Sequence, residues 1–184
     1  MKCNFAALLH SPKFESNLDI YQYLVSSGAS TFQFYDFHFS GYEPSTKTEY
    51  IRYNKPSEGR ESLPYPAIEH CMVKLNESMI MFIGGVNQST VYFYTFIPGD
   101  FYGLWSHGPS LPQPRNGHAC EKIQIEKDHD AVVVTGGFNG THFLKSTQIL
   151  DLNHVERGWK NGPEMPGNPR MGARLISRGR AQLF

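Results

Sequence analysis

The sequence predicts an all-β chain built from repeated antiparallel meanders. Two observations carry this prediction: short β-branched runs that end on a glycine pair, and the recurrence of the same features along the chain. Residues 131–135 are too few and too β-branched for a helix, and they stop on Gly136-Gly137, a pair that ends strands and lets backbones approach closely. We predict a buried strand here and, across a polar turn, another at residues 146–152.

A second copy of this unit lies upstream. Residues 79–83 end on Gly84-Gly85, residues 90–96 form the next predicted strand, and Trp105 stands where Trp159 stands in the later copy. Matched positions are separated by 52 to 55 residues. Each copy closes on two dipeptides that end in proline. The chain is therefore predicted to repeat one structural unit with a period slightly above 50 residues.

This period, with a glycine pair after one strand and a late tryptophan, resembles the kelch repeat, the blade of one class of β-propeller. The resemblance covers residues 63–166 and implies four-stranded antiparallel blades. It departs from the family pattern at Leu150, where the other copy has a tyrosine, and at Thr95, where the other copy has an acidic residue. The residues that carry the repeat motif are Gly84, Gly85, Tyr94, Trp105, Gly136, Gly137 and Trp159.

The repeat divides the chain into four segments. Residues 1–63 are predicted to form a degenerate first blade, with strands at 20–25 and 30–37 and a polar loop insert at 40–48. Residues 64–112 and 113–166 form the second and third blades. Residues 167–184 start a fourth blade, with a strand at 170–176 and a loose tail. Because closed propellers have roughly 4–8 blades, about three blades and one strand are expected to leave the ring incomplete.

Composition excludes several classes of function. Lys and Arg number 17, equal to Asp and Glu, and the formal net charge is +0, so neither a nucleic-acid binder nor a binder of acidic surfaces is favoured. No apolar run approaches the roughly 20 residues that span a bilayer. The apolar stretch at residues 3–9 is too short for a signal peptide and is broken by Asn4. We expect a cytoplasmic protein, with an extracellular location as the alternative.

Cysteines and histidines give no metal signature. Cys3, Cys71 and Cys120 are odd in number and contain no Cys-x-x-Cys pair, so we expect buried thiols rather than a bridge, and neither a metal site nor a cofactor. His70 and His118 occupy matched positions and are expected to be hydrogen-bonded structural residues. The glycine pairs lack the Gly-x-Gly-x-x-Gly spacing of a nucleotide site. No spacing selects a catalytic triad.

The predicted function is therefore binding: a non-catalytic scaffold that presents its loops to a protein partner. The candidate contact residues have the aromatic or arginine character of interface anchors, and they are Arg115, Phe138, His142, Phe143 and Arg170. The kelch resemblance implies a role in recruiting substrates to ubiquitin ligases, which relatives perform through BTB and BACK domains, and neither domain is visible in this sequence. An incomplete ring also predicts contact with further blades or self-association.

Two alternative functions stay open. Three Asn-x-Ser/Thr sequons in predicted turns, at Asn76, Asn87 and Asn139, allow a secreted or cell-surface adhesive glycoprotein. A fragment of a propeller enzyme similar to galactose oxidase is the other alternative, although the sequence offers no matching set of copper ligands.

Overall fold

The computed structural model describes residues 5–9, 22–26, 48–52, 58–59, 63–65, 67–97 and 103–175, the first four ranges as backbone only. These residues form twelve β-strands and one short 3-10 helix, η1 (Val155–Arg157), with no α-helix. Within the same ranges, no helix is long and apolar enough to cross a membrane.

The strands form three four-stranded sheets, each an antiparallel meander in chain order. The first blade contains β1 (Phe5–Leu9), β2 (Gln22–Ser26), β3 (Thr48–Arg52) and β4 (Glu58–Gly59). The second contains β5 (Cys71–Asn76), β6 (Met79–Gly85), β7 (Gln88–Phe96) and β8 (Gly103–His107). The third contains β9 (Ala119–Glu126), β10 (His129–Thr135), β11 (Thr147–Asp151) and β12 (Lys160–Gly162).

The first strands of successive sheets are neighbours: β1 lies beside β5, and β5 beside β9. Sheets arranged in this way are related like consecutive blades of a propeller. The predicted all-β architecture of four-stranded antiparallel sheets is confirmed, and the fold is that of a partial propeller.

Alternating side chains on β6 pack the second blade on both of its faces. Ile80 and Phe82 point into one apolar cluster with Tyr94. Met81 and Ile83 point into the other, where they meet the third blade. The residues of the third blade in this second cluster are Val132, Val134 and Leu150, all 0% exposed. The interface between the second and third blades is therefore a continuous hydrophobic core.

Two predictions about the outer segments need correction. The third strand of the first sheet is β3 (Thr48–Arg52), which pairs with β2, so Thr48 belongs to a strand and not to a loop insert. The strand predicted at residues 30–37 lies outside the described residues. The strand predicted at residues 170–176 is irregular over residues 170–175, and Ile176 lies outside the described part.

Backbone hydrogen bonds join the second blade to the start of the third, and the third blade to residues 170–172, in a pattern that repeats. The amide of Gly85 donates to the carbonyl of Arg115 and that of Gly137 donates to the carbonyl of Arg170, both at 2.8 Å. Likewise, Gly172 donates to Gly117 at 2.7 Å, as Gly117 donates to Glu69 at 2.9 Å. Residues 170–172 therefore contact the third blade in the same way as residues 115–117 contact the second.

A disulfide joins Cys71 of β5 to Cys120 of β9. Their Cα atoms are 6.1 Å apart, and 49 residues separate them in the chain. The prediction of free thiols was wrong because nearly corresponding positions on the first strands of two adjacent blades lie side by side. This bond links the second and third blades covalently.

Candidate protein-binding surface

The blades have two ends, which differ in the turns and loops that they carry. We call one end the loop end. It contains the glycine pairs, the turn at residues 86–87, the loop at 138–145 and the segments at 108–117 and 163–172. The other, the hairpin end, carries the tight turns between β5 and β6 and between β9 and β10. All the predicted contact residues lie at the loop end.

Both glycine pairs lie where only a residue without a side chain fits. Gly84 and Gly85 have φ of 63° and 124°, and Gly136 and Gly137 have φ of 68° and 94°. A Cβ atom on Gly137 would lie 2.8 Å from the carbonyl oxygen of Asn116. These pairs allow the next blade to approach the backbone closely, which fixes the positions of the neighbouring loops.

Arg115 does not lie on the surface. Its side chain is 0% exposed and donates to the carbonyl oxygens of Gly136 (2.9 Å) and Ser146 (3.0 Å) and to the Ser146 hydroxyl (2.7 Å). Burial lowers the pKa of Arg115 to about 10, so the guanidinium remains protonated at neutral pH. The prediction of Arg115 as a contact residue was therefore wrong, since it serves the interior of the third blade.

Arg170, at the matched position after the third blade, is exposed. Its Nε lies 3.3 Å from the Met165 sulfur, and its Nη2 donates to the carbonyl oxygen of Pro166. The acceptors that bind the Arg115 guanidinium belong to the blade that follows Arg115. The guanidinium of Arg170 instead bonds within its own turn.

The loop at residues 138–145 holds an aromatic side chain in a fixed, exposed position. Phe143 is 54% exposed, and its ring centroid lies 5.2 Å from that of Phe138, to which it is also joined by a β-bridge. The side-chain oxygen of Asn139 accepts the backbone N–H groups of Thr141 (3.0 Å) and His142 (2.8 Å). The loop is therefore tied internally, and Phe143 projects without having to be ordered by a partner.

This loop meets the turn of the second blade. A Cβ atom on Gly140 would lie 3.4 Å from Oδ1 of Asn87, so the two turns are in contact. Val86, beside Asn87, is 40% exposed, and His142 is exposed next to Phe143. We name the exposed residues Val86, Asn87, His142 and Phe143 the Phe143 surface. It combines two apolar side chains with polar neighbours across two blades.

His70 and His118 lie beneath the glycine pairs and are 3% and 1% exposed. Burial lowers the pKa of His70 to about 4. Burial also lowers the pKa of His118 to about 3, and the charge of Arg115 acts in the same direction. Backbone groups of Arg115 and Ile83 lie near His118 and oppose this shift of its pKa. Within the part of the chain that the structure describes, no hydrogen bond of good geometry reaches a ring nitrogen of either histidine. The hydrogen bonding expected of His70 is thus not found among the described residues, and both buried rings are neutral.

The remaining motif residues pack inside and between blades. Tyr94 is 1% exposed, and its ring centroid lies 4.7 Å from that of Trp105. Trp159 packs against the cluster between the second and third blades, and its indole N–H donates to the carbonyl oxygen of Pro109 at 2.7 Å. Each tryptophan is partly buried at the last strand of its blade.

The described residues contain no candidate metal site. Among the described residues, no group of three or more His, Cys, Asp or Glu side chains could hold a metal ion.

Known proteins resemble this chain in fold alone. No protein-family model and no curated protein matches the sequence. By contrast, 81 chains of solved structures match it. One is the structure of YjhT, with a TM-score of 0.62 and 13% sequence identity, over 96% of this chain and 55% of that one. At this identity the likeness concerns the fold, and this chain spans about half the length of YjhT.

Proposed function

We propose that this chain forms kelch-type blades of a β-propeller whose function is to bind a protein partner, without catalysis, through the Phe143 surface. The observation that carries the proposal is the exposed Phe143 on a loop tied by Asn139 and by the bridge to Phe138. A pre-ordered aromatic side chain buries a large apolar area in an interface at little entropic cost. The polar groups of Asn87 and His142 would form the rim of the contact.

We further propose that the propeller contains more blades than the three described. Arg170 supports this, because its carbonyl already accepts from Gly137 as the carbonyl of Arg115 accepts from Gly85. In a following blade, the guanidinium of Arg170 would meet the carbonyl of a glycine pair, as Arg115 meets Gly136. Such blades could come from more of the same polypeptide or from a second chain.

Affinity capture with matched variants tests the binding proposal. We would compare the wild-type chain with Phe143→Ala and with Leu104→Ala, a variant at the other end of the second blade. Leu104 is 64% exposed, so both substitutions remove a large exposed apolar side chain. Proteins recovered from source-cell extracts would be quantified by mass spectrometry, and equal melting temperatures would show that the variants fold.

We expect a partner that the wild type and Leu104→Ala both capture and that Phe143→Ala loses. A partner lost equally from both variants would show that exposed apolar area in general, and not this surface, governs capture. A partner lost only with Leu104→Ala would move the binding site to the hairpin end and overturn the proposal.

A second candidate function, an extracellular adhesive glycoprotein, is favoured by the bond between Cys71 and Cys120. Disulfides persist in oxidising compartments and are rare in the cytosol. This observation supports the extracellular alternative over a cytoplasmic location.

A further inference from the structure

The three sequons lie in different environments, and in one of them the side-chain nitrogen of the asparagine already donates a hydrogen bond. The side-chain oxygen of Asn139 accepts two backbone N–H groups of its loop. Its Nδ2, the atom that would carry a sugar, donates to Oε1 of Gln113 at 3.1 Å. A glycan on Asn139 would be attached to a nitrogen that is held against Gln113, in a half-buried site beside the Phe143 surface.

Asn87 is exposed, but the rest of its sequon is held in a sheet. Its φ is 57°, and Gln88 and Ser89 already belong to β7. The carbonyl of Gln88 accepts from the amide of Arg115 at 3.1 Å, and that of Ser89 accepts from Leu111 at 2.8 Å. The two residues that follow Asn87 in the sequon are therefore held by backbone hydrogen bonds to residues 111 and 115.

Asn76 lies in the opposite situation, at the tip of the hairpin between β5 and β6. Asn76 and Glu77 are exposed. The side-chain oxygen of Asn76 accepts from the backbone N–H of Ser78 at 2.9 Å and from its hydroxyl at 3.1 Å. This local turn brings the sequon hydroxyl to the asparagine amide and leaves Nδ2 without a hydrogen bond to any described residue.

A second observation points to the compartment where such modification takes place. Cys71, at the other end of the same strand, forms the disulfide with Cys120. Disulfide formation and N-glycosylation both belong to the secretory pathway of the cell. Glycosylation of an exposed sequon and formation of a disulfide are independent events that take place in the same environment.

We propose that Asn76 is an N-glycosylation site and that Asn139 is not. In the reaction, a bond forms between Nδ2 of Asn76 and C1 of an oligosaccharide carried on a polyprenyl diphosphate. The bond from C1 to the phosphate oxygen breaks, the lipid diphosphate leaves, and the amide nitrogen loses one proton. The glycan would project from the hairpin end, about 20 Å along the strands from the Phe143 surface, and would leave that surface free.

Site mapping on the intact chain tests this proposal. The 184-residue chain would be secreted from a glycosylating eukaryotic host behind a cleavable leader and treated with peptide-N-glycosidase in heavy-oxygen water. Peptide mass spectrometry then reports which asparagine carried sugar. We expect the label at Asn76 in most molecules, little or none at Asn139, and a peptide joined by Cys71 and Cys120 before reduction.

Variants add a check that does not depend on the mapping. Asn76→Gln and Ser78→Ala are each expected to lose the glycosidase-sensitive mass of one glycan, whereas Asn139→Gln keeps it. If Asn76→Gln is not secreted, Ser78→Ala and the wild-type map still decide. A chain without sugar at Asn76, or with sugar at Asn139 in most molecules, would overturn the proposal.

Discussion

The Tyr65 hydroxyl and the Arg115 guanidinium bind corresponding carbonyl groups in successive blades. Tyr65 donates to the carbonyl oxygen of Gly84 at 2.7 Å, and Arg115 donates to that of Gly136 at 2.9 Å. Burial raises the pKa of Tyr65 to about 12, which keeps its hydroxyl protonated as a donor. The first glycine of each pair thus has a buried carbonyl that needs a side-chain donor, and two different residue types supply it.

Replacing Arg115 with alanine is expected to lower the free energy of unfolding by about 3 kcal/mol, because buried acceptors lose their donor. Arg170→Ala is the matched control, since it removes the same side chain from an exposed position, and its cost is expected to stay within about 0.5 kcal/mol. Urea unfolding of both variants measures the difference. Equal costs would contradict the interior role assigned to Arg115.

Replacing Gly137 with alanine is expected to destabilise the fold by about 2–4 kcal/mol, because the new Cβ would meet the backbone of Asn116 at a positive φ. Gly158→Ala separates the two effects. Gly158 also has a positive φ, 68°, but a Cβ there would meet nothing within 4 Å. For Gly158→Ala we expect only the cost of backbone strain, which lowers the free energy of unfolding by about 1 kcal/mol. Similar melting temperatures for the two variants would show that close approach at Gly137 is unimportant.

The sequence predicted the second and third blades because their signals are local. A β-branched run followed by Gly136-Gly137 can end in few ways, and the repetition around Gly84-Gly85 removed the remaining ambiguity. The observed strands β6 and β10 include the predicted ones, extended by a few residues. The first blade was harder, because its third strand, β3, has no glycine pair or tryptophan beside it.

What the sequence could not reveal depends on neighbouring blades. Arg115 and Arg170 look alike in sequence, yet Arg115 is buried against acceptors of the third blade and Arg170 is exposed. The disulfide had a signal: Cys71 and Cys120 are separated by nearly the spacing of His70 and His118. Using it required knowing that the first strands of adjacent blades lie side by side.

Acid is expected to destabilise the fold through His70 and His118. Their folded-state pKa values, about 4 and about 3, lie below the usual 6.5, so the unfolded chain binds more protons between these values. The stability of the fold with both histidines buried and neutral is fully present above about pH 6.5, and it is lost as the pH falls towards 4. Within this window, we expect the free energy of unfolding to fall by up to about 3 kcal/mol per pH unit.

Urea unfolding at several pH values between 7 and 4.5 measures this slope. His70→Gln and His118→Gln are each expected to reduce it by about half, because each variant removes one of two protons. A wild-type slope that neither variant changes would assign the acid sensitivity to other groups.

Breaking the disulfide is expected to cost about 4 kcal/mol, since closing a loop of this length restricts the unfolded chain. The loop spans 49 residues and connects two blades that already share a hydrophobic core. The double variant Cys71→Ala/Cys120→Ala is expected to unfold at a lower urea concentration than the oxidised wild type. Adding a thiol reductant is expected to move the wild type to that midpoint and to leave the double variant unchanged.

Cys3→Ala is the matched control for that experiment, because it removes a cysteine that takes no part in the bond. This variant is expected to keep the wild-type response to the reductant, which separates the effect of the bond from that of any thiol. A wild-type midpoint that the reductant does not shift, under conditions where mass spectrometry finds free thiols at Cys71 and Cys120, would contradict this prediction. In that case the core between the second and third blades would hold them together without the covalent link.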